Sequence, residues 1–232
     1  MQKKVYFFKY VVANVVLVGA LVLAVIFVAP LAGTAVVVEE PVRRGDSGNG
    51  VALMFGVGAA NTGAVEEILE ALDKHNISAT FFVSGVWAGE NSQALANIHA
   101  AGHELGNYGF FNLRHGDMGA NRVREEIELT HRVVREMVGV EMRLFTPPLG
   151  CFNNNSLETA RALGYTTVVG RNTRVDASSS ADDIVSGVLN DIVGGDLILL
   201  PANAQAATAL ASIIEGVRAL QLEIGAASGV LF

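Results

Sequence analysis

Val51-Ala52-Leu53-Met54-Phe55-Gly56-Val57-Gly58 is the stretch on which the fold turns. Residues 51–55 form an apolar run of strand length, and Gly56 and Gly58 punctuate its end. Similar short runs recur at 79–83, 144–145, 166–169 and 197–200. Between them lie segments with helical periodicity, at 64–74, 93–101, 121–138, 157–163, 181–192 and 205–220. In the first of these, Val65, Ile68, Leu69 and Leu72 fall at i, i+3, i+4 and i+7, one face of a helix, and Asn61 or Thr62 is a suitable N-cap. Strands alternating with helices of this length predict an α/β fold with a parallel sheet.

Upstream of Val51 the chain changes character. From Val11 to Val38 no residue is charged, and Asn14 and Thr34 carry the only polar side chains. About 20 apolar residues suffice to span a bilayer as a helix, so residues 11–38 are expected to form a transmembrane anchor. Lys3, Lys4 and Lys9 precede the run, and Glu39 and Glu40 follow it. The positive-inside bias then makes residues 1–10 a cytoplasmic tail and exports the rest. A cleaved signal sequence, leaving a secreted protein, is the alternative, although its apolar region is usually shorter. Residues 39–50 mix two Glu, two Arg, Asp46, Pro41 and three Gly without periodicity and read as a linker, leaving 51–232 as one domain.

Of the 232 residues, 51% are hydrophobic and 17% charged, too apolar for disorder, and the net charge of −7 disfavours nucleic acid as a partner. A single cysteine, Cys151, excludes an intramolecular disulfide. The most polar helix, 121–138, reads as a solvated outer face with i,i+4 pairs such as Glu128 with Arg132.

Five blocks in order carry a resemblance. They are 51–58, Ala79-Thr80-Phe81-Phe82-Val83, Gly102-His103-Glu104-Leu105-Gly106-Asn107, Leu144-Phe145-Thr146-Pro147-Pro148-Leu149-Gly150 and Gly195-Asp196-Leu197-Ile198-Leu199-Leu200. The chain from Val51 to about Phe232 resembles the polysaccharide deacetylase family, the NodB homology domain of carbohydrate esterase family 4. The resemblance implies a distorted (β/α) barrel, here preceded by one transmembrane helix, and removal of acetyl groups from N-acetylated glycans with a divalent metal such as zinc. In that chemistry an Asp and two His hold the ion, which polarises the acetyl carbonyl and water. A second Asp takes the water's proton, and another His protonates the leaving amine.

Carried over residue by residue, the resemblance places the base at Gly56 and the metal ligands at Val57, Tyr108 and Asn112. The arginine that orients the base falls at Thr146, a tyrosine at Leu149, and the proton-donating histidine at Pro201. A block that braces the arginine falls around Arg171. None of these side chains does the family's work; proline has no proton to give, and tyrosine and asparagine do not make a normal zinc site. The reading is therefore a pseudoenzyme with no cofactor expected. Its partner would be a cell-envelope glycan or an envelope protein, with Tyr108, Phe110, Phe111 and Phe152 as candidate contacts where metal and sugar would have been. The rival is an active hydrolase deacetylating cell-wall polysaccharide through a non-standard site drawn from His115, Asp117, Asp176 or Cys151. His103 and Trp87 read as structural, His131 as solvated or capping, and Asp183 as first-turn helix chemistry.

Overall fold

A computed structural model describes residues 14–19, 40–58, 64–171, 176 and 178–232. The chain divides into two units, Met1–Val38 and Glu39–Phe232. In the first, residues 14–19 are helical; the rest of the expected 11–38 anchor lies outside the described residues, as do Asn61 and Thr62. Among the described residues no helix is long and apolar enough to cross a membrane.

The second unit is a curled parallel half-barrel wrapped by helices. Its strands are β1 (Gly50–Val57), β2 (Thr80–Val83), β3 (Glu104–Asn107), β4 (Leu144–Phe145), β5 (Thr166–Thr167), β6 (Leu197–Pro201) and β7 (Glu223–Gly225). The order is β5-β4-β3-β2-β1-β6, all parallel, with β7 also on β1. Ala52 pairs with both Leu197 and Gly225, so β6 and β7 take opposite edges of β1, and β7 shares its edge with β2. The helices are α1 (Val65–His75), α2 (Gly85–Glu90), α3 (Ser92–Ala100), α4 (Ala120–Val138), α5 (Asn154–Ala162), α6 (Ala181–Leu189), α7 (Ala204–Ala219) and α8 (Ala227–Leu231). The periodicity therefore located six helices and five strands to within a few residues. It passed over the short elements β3, α2, β7 and α8, whose few apolar residues carry no legible period.

Every residue of β1 is buried, because both faces of the strand are covered. Val51, Leu53, Phe55 and Val57 pack outward against the helices, with Phe81 and Phe145. Ala52 and Met54 face inward with Phe82, Tyr108, Leu144, Val168 and Leu197. Since strand side chains alternate, this split fixes which face each later residue takes.

Several helices start on side-chain caps. Asn153 and Ser156 form a reciprocal capping box at α5, and Ser180 with Asp183 forms another at α6, the role expected of Asp183. Helix α1 instead begins after Ala64, which offers no side-chain cap.

The stretch read as a linker is tied into the sheet. The Val42 N–H donates to the Thr167 carbonyl at 2.8 Å, and the Val169 N–H donates to the Val42 carbonyl at 2.9 Å. Arg44 reaches the buried Asp196 carboxylate at 2.8 Å, and Arg171 reaches it from the other side at 3.3 Å. The physical reason is the gap beyond β5: Val42 packs with Val168 and Leu199 on the inner face, and Asp196 requires cationic partners once buried. Arg171, expected near a catalytic brace, serves this structural pin.

Candidate functional site

The C-terminal ends of the strands converge on the positions singled out by the sequence. Gly56 follows Ala52 and Met54 at two-residue spacing, and Pro201 follows Leu197 and Leu199, so both lie on the inner face, paired in register across β1 and β6. A Cβ on Gly56 would stand 3.0 Å from Tyr108 Oη and 3.1 Å from its Cζ. The tyrosine therefore occupies the space into which a carboxylate at position 56 would project. Burial pushes the Tyr108 hydroxyl pKa up, and a hydrogen bond from the Leu149 backbone N–H acts in the opposite direction. Thr146 is buried nearby on β4's continuation, its hydroxyl donating to the Val168 carbonyl at 2.8 Å.

Two other positions do not join this group. Val57 is fully buried among the outward-facing residues of the sheet. Asn112 sits in the left-handed region (φ 57°) with its amide against Gly58, where an added Cβ would lie 2.5 Å from Nδ2. Its Oδ1 is buried without a hydrogen-bond partner. A buried valine, a phenol already hydrogen-bonded and a carboxamide do not fit the imidazole and carboxylate donor set of a catalytic divalent ion. Among the described residues no three His, Cys, Asp or Glu side chains group to hold a metal.

Three of the alternative residues fall around Gly116, which lies between His115 and Asp117 and packs on Cys151, but they differ in exposure and do not form one donor set. Asp117 lies on the surface paired with Arg114 at 3.0 Å. Asp176 is exposed and closes a local turn on Ser178 and Ser179, whose hydrogen bonds lower its pKa. Cys151 is a half-buried free thiol against Gly116. His115 is fully buried, stacked on Phe145 at 5.4 Å, with neither ring nitrogen hydrogen-bonded. Burial first, and the Arg122 charge second, pull its pKa down to about 4.

That depression has a measurable consequence. Unfolded, this histidine binds a proton near pH 6.5, whereas folded it stays neutral until about pH 4. The stabilisation is complete above pH 6.5 and is lost as pH falls towards 4, a total of about 3 kcal/mol. Urea midpoints measured from pH 7 to 4.5 should fall more steeply for the wild type than for His115→Leu. At pH 7 the leucine variant should be at least as stable, since no hydrogen bond is lost. An unchanged pH slope in His115→Leu would refute the assignment.

The four aromatic candidates do not form one platform. Tyr108 is buried; Phe110 packs against Gly85, where an added Cβ would collide with its ring. Phe111 is 51% exposed, edge-on to Phe110 at 4.8 Å and covered on one side by the Arg122 guanidinium at 5.6 Å. Phe152 lies apart, beneath Arg43. The buried face of a loop is set by backbone contacts that composition does not encode: the Gly85 and Val86 N–H groups bind the Gly109 and Phe110 carbonyls.

Sequence reasoning missed the groups that hold this loop. Glu126 is 1% exposed; its Oε2 accepts the Phe110 and Phe111 N–H groups at 2.7 and 2.8 Å, and its Oε1 binds Arg122 at 2.7 Å. A signal was present, because Glu126 falls in the buried stripe Val123, Glu126, Ile127, Thr130, Val134 of α4. Glu128, for its part, pairs with Arg124 rather than Arg132. Asn107 anchors the loop from beneath: its Oδ1 accepts the Gly109 N–H, and its Nδ2 donates to the Ile127 carbonyl and Tyr165 Oη. An amide nitrogen only donates, so Tyr165 gives its own proton to His131 Nδ1, leaving Nε2–H for Glu141. His131 is thus a linking group rather than a solvated one. His103 accepts the Ala79 N–H, and Trp87 is fully buried, both structural as read.

The polysaccharide deacetylase family model matches residues 43–168, more than half of the chain. The chain belongs to the polysaccharide deacetylase family. Among curated proteins it is 28% identical over 181 residues to the uncharacterised protein YlxY of Bacillus subtilis, covering 77% of this chain and 56% of that one. It is 30% identical over 117 residues to the peptidoglycan-N-acetylmuramic acid deacetylase PdaA of the same organism, covering 50% and 44%. The chain thus spans about half the length of these relatives. Among solved structures, BA3943 of Bacillus anthracis, described as a CE4 family pseudoenzyme, superposes with a TM-score of 0.79 at 24% identity, over 84% of this chain and 69% of that one. A BA3943 mutant with restored enzymatic activity gives the same TM-score at 23% identity, over 84% and 72%.

Proposed function

We propose that this deacetylase-family chain acts without catalysis, as an extracytoplasmic protein anchored through residues 11–38 that binds a cell-envelope glycan. The observation that carries the reading is the Gly56–Tyr108 contact: the place of the base is empty of side chain, and a phenol with a filled hydrogen bond stands over it. Pro201 beside Gly56 has no proton to offer the leaving amine. The likeness to BA3943, a pseudoenzyme of the same fold, supports the same conclusion. The decisive measurement is acetate release from N-acetylated glycans together with metal analysis of the purified protein. Turnover with stoichiometric zinc would overturn the proposal.

Glycan binding rests on Phe111, an exposed ring that meets Phe110 edge-on, with its backbone N–H held by Glu126. Aromatic faces stack on sugar rings. Phe111→Ala should weaken retention on peptidoglycan at least fivefold with the melting temperature unchanged, because the side chain is half exposed. Tyr108→Ala is no clean comparison, since that ring is buried and its loss lowers stability. If the wild type is not retained on peptidoglycan or chitin, the glycan role fails and an envelope protein takes its place.

A further inference from the structure

A recess lies between α4 and the turn that follows α5. It has a volume of about 400 Å³, within the range of small-ligand pockets. Leu163 provides apolar surface above the buried Ile127, Tyr165 and His131 provide polar groups, and Arg132 and Arg135 positive charge. The polar groups are preorganised: Tyr165 and His131 are fixed in the chain of hydrogen bonds that runs from Asn107 to Glu141. Burial, the larger cause, and the Glu141 charge push the Tyr165 hydroxyl up to about 12, with the Asn107 hydrogen bond acting against them, so it stays protonated.

The two arginines are not consumed by the fold. Arg132 makes no ion pair among the described residues, and Arg135 reaches Glu136 and Glu141 only at 3.9 and 3.8 Å. Glu128 also lines the recess, held by Arg124 at 3.3 Å. A carboxylate beside two arginines repels a bare anion but accepts hydroxyl donors. Apolar surface, hydroxyl acceptors, the unpaired Arg132 guanidinium and the loosely paired Arg135 guanidinium together match a ring-shaped polyol bearing one negative group.

We propose that this recess binds a monosaccharide-sized anion, a sugar carrying one phosphate or one carboxylate. The anion meets Arg132 and Arg135, the ring lies against Leu163, and hydroxyls reach Glu128 and Tyr165. The site uses none of the strand-end positions 56, 108 and 201 as contacts and meets the strand ends only through Asn107 beneath Tyr165.

Calorimetric titration of the full chain with glucose 6-phosphate, glucuronate and neutral glucose tests it, the first two separating a phosphate from a carboxylate source. At least one anionic sugar should bind and glucose should not. The double variant Arg132→Gln/Arg135→Gln should weaken that binding at least tenfold while keeping the wild-type melting transition, because both side chains are exposed. Phe111→Ala should leave it intact. Binding of neither anionic sugar, equal binding of neutral glucose, or unchanged affinity in the double variant would overturn the proposal.

Discussion

Glu126→Ala should lower stability by about 3–5 kcal/mol, chiefly the cost of leaving two loop N–H groups without their acceptor. Its carboxylate is 1% exposed and satisfies three donors: two backbone N–H groups and the Arg122 guanidinium. Alanine leaves the Phe110 and Phe111 amides without an acceptor and opens a void beside His115, which stands next to the same carboxylate at Gly109. For a domain of this size the loss corresponds to a fall in melting temperature of roughly 10 °C. Glu126→Gln keeps an acceptor oxygen and should lose less. The neighbouring Glu125 is exposed in its pair with Arg122, so Glu125→Ala should change stability by no more than about 0.5 kcal/mol. Urea unfolding of the three variants provides the comparison; equal effects of Glu125→Ala and Glu126→Ala would show that the loop does not depend on this acceptor.

The second large effect concerns Gly56. Introducing Asp there should cost about 2–4 kcal/mol, because the carboxylate is driven into the Tyr108 ring in a site without a paired cation. Tyr108→His shortens the opposing side chain and supplies a hydrogen-bond partner. Gly56→Asp/Tyr108→His should therefore recover most of the loss, with a coupling of at least about 1 kcal/mol in a double-mutant cycle. The pair must change together, an explanation for how a glycine and a tyrosine come to face each other at these two positions. Strict additivity in the Gly56–Tyr108 cycle would show that the two residues do not compete for space.

Much of the architecture is written locally. The runs 51–55, 79–83 and 197–200 announce strands because β-strands need only a few apolar residues between punctuating glycines and polar turns. The long helix 121–138 is announced by its stripe and ends where Gly139, at φ 72°, adopts the left-handed conformation of a helix stop. The identity of Gly56, Tyr108, Thr146 and Pro201 was equally plain, since residue type at a motif position needs no coordinates. The four-residue strand β3 and the linker-like segment at 40–50 were opaque for a common reason. Their place is set by partners far along the chain, Thr80 and Phe145 for the one, Thr167 and Asp196 for the other.

By itself, then, the sequence determined the order of five strands and six longer helices, the parallel sheet, and which side chains stand at the strand ends. These depend on local periodicity and on covalent identity. Only the tertiary structure decided that Val57 turns outward while Gly56 faces Tyr108, and that Glu126 is buried beneath the Phe110–Phe111 loop. It likewise decided that the four aromatic rings part company. Such outcomes depend on which face of a strand meets the core and on which buried N–H needs an acceptor. Both are settled by contacts between residues distant in the chain.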